Sequence, residues 1–138
     1  MIKIVFLDTS FAIALSSSGD EFHHQAQKLA RQIEIDNTYI VTTQAVLLEI
    51  GNALSKQKYR EKAGILIESL IADPTVEIIP FTNELFILAF RLFQSRPDKE
   101  WGLVDCLSCI VMQRCGITDV LTTDKHFQQM GFRALLRE

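Results

Sequence analysis

The chain alternates short, continuous apolar runs with longer segments in which apolar residues recur every three or four positions. The first pattern predicts buried strands and the second amphipathic helices. Runs of the first kind occupy residues 4–7, 39–42, 76–79 and 120–123. Between them, Phe11 to Leu15 predicts a short helix, and Phe22, Ala26, Leu29, Ala30 and Ile33 a second one. Val46, Leu47, Ile50 and Leu54 predict a third, capped by Thr42 or Thr43 and running to about Lys58. A fourth is expected over about 61–72, ending at Asp73-Pro74. Leu85, Phe86, Leu88, Ala89, Leu92 and Phe93 mark a helix opened by Thr82 or Asn83. Leu103, Leu107, Ile110 and Val111 mark another, stopped by Gly116. A short helix to Met130, then Gly131 and a last apolar stretch over 132–136, complete the chain.

Strands that alternate with helices imply parallel pairing, with helices on both faces of the sheet. The expected fold is a three-layer α/β/α domain around a central, mostly parallel sheet. The 138 residues suffice for one core, and no repeat, low-complexity tract or internal linker divides them, so 1–138 is expected to form a single domain.

Composition narrows the function classes. No run of about 18 apolar residues exists, so no membrane span is expected. No secretion signal is apparent, and a cytoplasmic location is the expectation. The net charge of −3 argues against a non-specific nucleic-acid coat. It leaves room for a nucleic-acid enzyme whose bound cations reverse the sign of an acidic site. Cys106, Cys109 and Cys115 are expected to be reduced thiols on a packed helix, since no second CxxC pair completes a zinc site. His23-His24 reads as a solvated pair, because adjacent helical residues diverge by about 100°. Lys56, Lys58, Arg60 and Lys62 form a basic cluster that reads either as a solvated face or as a phosphate-backbone contact.

Four acidic residues occupy suggestive positions. Asp8 and Asp124 each follow a predicted strand, Asp105 sits in the first turn of a helix, and Glu49 borders an apolar helical stripe. Singly, each has a plain structural explanation as a cap, a dipole partner or a surface residue. Jointly they converge, because the carboxyl ends of parallel strands share one edge of the sheet. Unpaired carboxylates about 4 Å apart repel by about 4 kcal/mol at an effective dielectric of 20. Such a cluster needs protons or cations, and hard oxygen ligands suit Mg²⁺ or Mn²⁺. That combination supports metal-assisted phosphodiester hydrolysis.

On these residues the sequence resembles the PIN-domain family and, within it, the VapC-like toxin ribonucleases. The resemblance rests on Phe6-Leu7-Asp8-Thr9-Ser10, on Leu48 through Leu54 with Glu49 and Asn52, on Val104-Asp105-Cys106, and on Leu121 through Phe127 with Asp124. It implies a PIN-like nuclease domain and a metal-dependent endoribonuclease acting on RNA. Asp8 and Asp105 are implied as direct ligands of Mg²⁺ (or Mn²⁺), and Asp124 as a further ligand, direct or through water. Glu49 is implied as an outer ligand or as the group orienting the attacking water. Thr9 or Ser10 is implied to hold a ligand or phosphate by its hydroxyl. A homodimer and a small antitoxin partner are also implied. Asp98 and Glu100 are additional acidic residues near the same region.

Rival α/β chemistries fit less well. A haloacid-dehalogenase-type phosphotransferase needs a second Asp two positions after the first, where Ser10 stands. A receiver domain needs an acidic pair near its first strand and an Asp after a middle strand, where Pro80 stands. A dinucleotide site needs a glycine-rich first turn. The alternative from a different class is a PIN-like domain that binds RNA or protein without cleaving. The expected mark of that alternative is loss of a carboxylate, and all four are present.

Overall fold

The computed structural model describes residues 3–138. Five strands, β1 (Ile4–Leu7), β2 (Tyr39–Thr43), β3 (Val76–Ile79), β4 (Asp119–Leu121) and β5 (Arg133–Ala134), form one sheet in the order β3-β2-β1-β4-β5. Every pairing is parallel. Seven helices flank the sheet: α1 (Thr9–Ser16), α2 (His23–Asp36), α3 (Gln44–Ala53), α4 (Gln57–Ala72), α5 (Asn83–Ser95), α6 (Leu103–Cys115) and α7 (Lys125–Gln129). The expected α/β/α architecture is therefore present. Helix α1 packs on α2, α3 and α4, while α5 packs on α6.

The strand order explains where a site can form. From β1 the chain moves outward to β2 and β3, then returns across to β4 on the other side of β1. Connections leaving β1 and β4 diverge there, which opens a crevice at the carboxyl ends of those strands. The crevice floor is rigid because β1 and β4 are the most enclosed strands. Val5, Phe6, Leu7, Val120 and Leu121 are buried, and Phe6 pairs with both Val41 and Val120. At the end of β1 the Leu7 carbonyl accepts a hydrogen bond from the Thr42 hydroxyl at 2.8 Å. The Asp8 amide continues the ladder to the Leu121 carbonyl at 3.2 Å.

Local signals in the sequence account for most boundaries. Thr43 caps α3, its hydroxyl accepting from the Val46 amide, and Thr82 caps α5 through the Leu85 amide. Helix α2 ends with Asn37 in the left-handed region, and α6 with Gly116 at φ +67°. Two boundaries differ from expectation. Helix α3 stops at Ala53 rather than near Lys58, and α4 begins at Gln57, so the basic cluster lies on the cap and first turns of α4. The apolar spacing runs through Leu54, which is buried after the helix has ended and thus preserves a helical pattern without the helix. The fourth strand ends at Leu121; Thr122 and Thr123 leave the ladder and turn toward the crevice. The last apolar stretch contains a further, two-residue strand, β5.

The three cysteines are free, with Cys106 and Cys109 buried in α6. His23 is not simply solvated, since its Nδ1 donates to the Ala14 carbonyl at 2.7 Å and ties α2 to α1. Because Thr43 sets the start of the helix that carries Glu49, Thr43→Ala should lower unfolding free energy by about 1–2 kcal/mol in urea titration. An unchanged midpoint would show that the cap contributes nothing.

Candidate active site

The crevice between β1 and β4 is a cleft of about 500 Å³ lined by Asp8, Thr9, Ser10, Ile13, Glu49, Asn52, Ala53, Asp105 and Asp124. All four sequence-predicted carboxylates line it, together with Thr9 and Ser10. No Lys or Arg is among the lining residues.

Asp8 is the most buried of the four, at 4% exposure. Its Oδ2 accepts from the Ser10 and Thr122 hydroxyls, each at 2.8 Å, and from the Ser10 amide at 3.4 Å. The two hydroxyls spend their single protons on Asp8. Their oxygens then accept backbone amides on the far side: Ser10 Oγ from Thr123 at 2.9 Å, and Thr122 Oγ1 from Asp124 at 3.0 Å. This network stitches the end of β1 to the turn after β4. It also explains why Thr122 and Thr123 abandon the ladder.

The other carboxylates are fixed individually. Glu49 projects from α3, and its Oε1 accepts from the Thr9 hydroxyl at 2.7 Å. Asp105 sits in the first turn of α6, with Oδ2 accepting from the Gly102 amide at 3.1 Å. The start of α6 is held by Trp101, which is buried and donates from Nε1 to Gln129 of α7 at 2.8 Å. Asp124 caps α7, with Oδ1 accepting from the His126 amide at 2.9 Å. His126 Nδ1 lies 3.1 Å from Asp105 Oδ2 and 3.3 Å from Asp124 Oδ1. Ligand atoms of Asp105, Asp124 and His126 all fall within 4.8 Å of one another; Asp8 and Glu49 lie outside that tight set but border the same cleft.

A common pattern runs through the site. In each carboxylate, the hydrogen bonds among the described residues fall on one oxygen: Asp8 Oδ2, Glu49 Oε1, Asp105 Oδ2 and Asp124 Oδ1. Among the described residues, the second oxygen of each receives no protein donor. Capping and ligation are thus compatible uses of the same Asp8 or Asp124 side chain, one per oxygen. The donor set is hard, oxygen-rich and without a balancing Lys or Arg, which fits a divalent cation of the Mg²⁺ or Mn²⁺ type.

Asp98 and Glu100 do not join the cleft. Asp98 is exposed and pairs with Arg96 at 3.0 Å, and the Arg96 guanidinium stacks over Trp101. Glu100 is also exposed, and neither residue is part of the lining. Three residues given no role in the sequence reading do contribute. Thr122 and His126 lie in the Leu121–Phe127 stretch that carries the family resemblance, and Asn52 lies one helical turn after Glu49. That one-turn spacing was a legible signal for Asn52. The cross-element contacts of Thr122 and His126 had none.

Burial raises the Asp8 carboxyl from an ordinary 3.8 to about 6, with the Thr122 and Ser10 hydrogen bonds opposing and the Asp105 charge adding to the rise. Burial likewise raises Glu49, against its Thr9 hydrogen bond, and raises Asp105, against its bonds from His126 and Gly102. The fold therefore binds protons more readily than the unfolded chain in this region. For a carboxyl raised in the folded state, stability is greatest below the unfolded value and falls as pH rises through the folded one. For Asp8 the decline runs from about pH 4 to above pH 6 and approaches about 3 kcal/mol. Metal-free Asp8→Asn should accordingly be about 1–3 kcal/mol more stable than the wild type at pH 7.5, with the difference shrinking toward pH 4. Urea denaturation in EDTA at both pH values checks this, and a less stable variant at pH 7.5 would contradict it.

Comparison with known proteins agrees with the geometry. The 23S rRNA-specific endonuclease VapC20 of Mycobacterium tuberculosis is 26% identical over 129 residues, covering 94% of this chain and 95% of that one. A VapC ribonuclease of Aquifex aeolicus is 22% identical over 133 residues, covering 94% and 93%. The crystal structure of M. tuberculosis VapC20, described as a Sarcin-Ricin loop cleaving toxin, superposes with a TM-score of 0.82 at 26% identity, covering 93% and 95%. The DNA-bound VapBC structure from Salmonella typhimurium shares the fold, with a TM-score of 0.65 at 17% identity, covering 97% of each chain. The PIN domain model matches residues 5–133, a span that includes all four carboxylates and the strands that deliver them, and the chain belongs to the PIN-domain family.

Proposed function

We propose that this chain is a divalent-metal-dependent endoribonuclease of the VapC type, the toxin of a toxin–antitoxin pair, built as one nuclease domain over 1–138. The observation that carries this reading is the cleft itself. Four carboxylates line it without a Lys or Arg, and each keeps one oxygen free of protein donors. A site so charged requires cations, and once they are bound it attracts phosphate.

Asp8, Asp105 and Asp124 would hold Mg²⁺ or Mn²⁺, with Glu49 as an outer ligand or as the group that orients water. The bound cation supplies Lewis-acid stabilisation of phosphoryl charge and lowers the pKa of a coordinated water. Glu49, raised by burial and steered by Thr9, is suited to accept a proton from the attacking water. Ser10 and Thr122 keep Asp8 in place. Lys56, Lys58, Arg60 and Lys62 are exposed just beyond Asn52 and Ala53, the α3 wall of the cleft, where they can take the RNA backbone. The 23S rRNA specificity of the relative VapC20 makes ribosomal RNA the first substrate to try. A cytoplasmic location follows from that substrate class; no helix among the described residues is long and apolar enough to cross a membrane.

A homodimer and a small antitoxin belong to the same proposal. The homodimer has a specific surface to support it. Phe86, Phe90 and Phe93 of α5 stack in sequence with Phe81 beside them, and all four rings are exposed. Their spacing of four then three residues is that of a helix–helix seam, which an identical α5 fits about a two-fold axis.

Cleavage of ribosomal RNA should require Mg²⁺ or Mn²⁺ and stop in EDTA. Asp8→Asn and Asp105→Asn should each lower the rate by about 100-fold or more. Metal-independent cleavage, or full activity in both variants, would overturn the reading. Light scattering should give twice the chain mass of 15.7 kDa for the wild type and the single-chain mass for Phe90→Lys. A wild-type monomer would remove the dimer.

A further inference from the structure

We propose that His126 is a positioning residue that clamps Asp105 and Asp124 together, so that their remaining oxygens are presented as one ligand pair. The proposal rests on the metal-dependent reading above and assigns a role to a side chain outside the four carboxylates.

The geometry singles out this histidine. Asp105 lies on α6 and Asp124 caps α7; His126 Nδ1 hydrogen-bonds Asp105 Oδ2 at 3.1 Å and lies 3.3 Å from Asp124 Oδ1, close enough for an ion-pair contact. Carboxylate oxygens only accept, so Nδ1 carries the proton in this contact, whether the ring is neutral or cationic. The contacted oxygens, Asp105 Oδ2 and Asp124 Oδ1, are the ones already held by the backbone amides of Gly102 and His126. The imidazole therefore adds to the fixed side of each carboxylate and leaves Asp105 Oδ1 and Asp124 Oδ2 untouched.

The three side chains lie close enough together to surround an ion themselves. Two observations favour positioning over ligation. His126 is not among the residues lining the cleft that Asp8 and Glu49 border. The carboxylate oxygens that face the imidazole are also already occupied by backbone amides, Asp105 Oδ2 by Gly102 and Asp124 Oδ1 by His126. Partners that hold ligand carboxylates by hydrogen bonds tune metal affinity by about 10–100-fold when removed. The clamp has a structural source as well. Asp124 and His126 share the first turn of α7, and Trp101 docks the start of α6 on Gln129 of the same helix. The loop before α6 thus brings Asp105 to the histidine.

The test uses Mn²⁺ binding to the full chain, followed by the free-ion electron paramagnetic resonance signal, with no cleavage assay involved. Asn places its amide N–H at the same bond distance from Cβ as Nδ1, whereas Gln places it one bond further out. His126→Ala and His126→Gln should weaken Mn²⁺ binding by about tenfold, and His126→Asn should restore it to within about twofold of wild type. Electron spin-echo modulation of bound Mn²⁺ should lack the coupling of a directly coordinated imidazole nitrogen. Unchanged affinity in the Ala and Gln variants, tighter binding in either, or no rescue by Asn would overturn the clamp. A coordinated-imidazole signal in the wild type would overturn it in favour of ligation. No Mn²⁺ binding by the folded wild type would instead bring down the metal reading on which the clamp rests.

Discussion

The clasp around Asp8 is the constraint on which the rest of the site depends. One buried carboxylate oxygen receives the hydroxyl protons of Ser10 and Thr122, and those hydroxyls receive the amides of Thr123 and Asp124. The network spans β1 and β4 where their outgoing connections part. It holds the crevice at a fixed width and sets the backbone from which Asp124 and His126 project. A parallel sheet supplies the location, and the clasp adds side-chain bonds where the β1–β4 ladder makes its last link, from the Asp8 amide to the Leu121 carbonyl.

This arrangement trades stability for chemistry. Burial raises Asp8, Glu49 and Asp105, and the cleft lining offers no Lys or Arg to offset the cost. A structural carboxylate at such a position would ordinarily be paired with a cationic side chain or replaced by an apolar one. Retaining four in one cleft makes sense if a bound cation relieves the repulsion. The rigid β1–β4 floor, with Phe6 fully buried between its neighbours, lets the fold tolerate that local strain. Hydroxyl donors suit the purpose, because they fix an oxygen without neutralising its charge.

Much of this was legible in the sequence, for physical reasons. Asp8 and Asp124 end apolar runs, and a carboxylate at the edge of a buried strand must face a cleft or a helix N-terminus. Both do both: each caps a helix and lines the cleft. Glu49 and Asp105 were legible from helical phase and first-turn position. The break between α3 and α4 was hidden, because Leu54 is buried outside the helix and no Pro or Gly marks the turn. Thr122 was hidden because a β-branched residue after Leu121 reads as more strand. Its departure from the ladder is dictated by Asp8, 114 residues away. His126 was hidden for a similar reason, since its partner on α6 is set by tertiary packing. The apolar spacing of α5 marked Phe86 and Phe93 together with Leu85 and Ala89 and did not separate its two faces; the core side is carried by Leu85 and Ala89, while Phe86 and Phe93 are exposed.

The central claim is that the cleft is a cation site whose charge burden the metal lifts. Calorimetric unfolding of the EDTA-stripped chain at pH 7.5, with and without Mn²⁺, tests it most directly. Binding to the folded state alone should raise stability with a saturating dependence on Mn²⁺, by about 2.7 kcal/mol when the metal is at 100 times its dissociation constant. The rise should be lost in Asp105→Asn. A transition temperature that does not move with millimolar Mn²⁺, or that rises equally in the variant, would contradict the account.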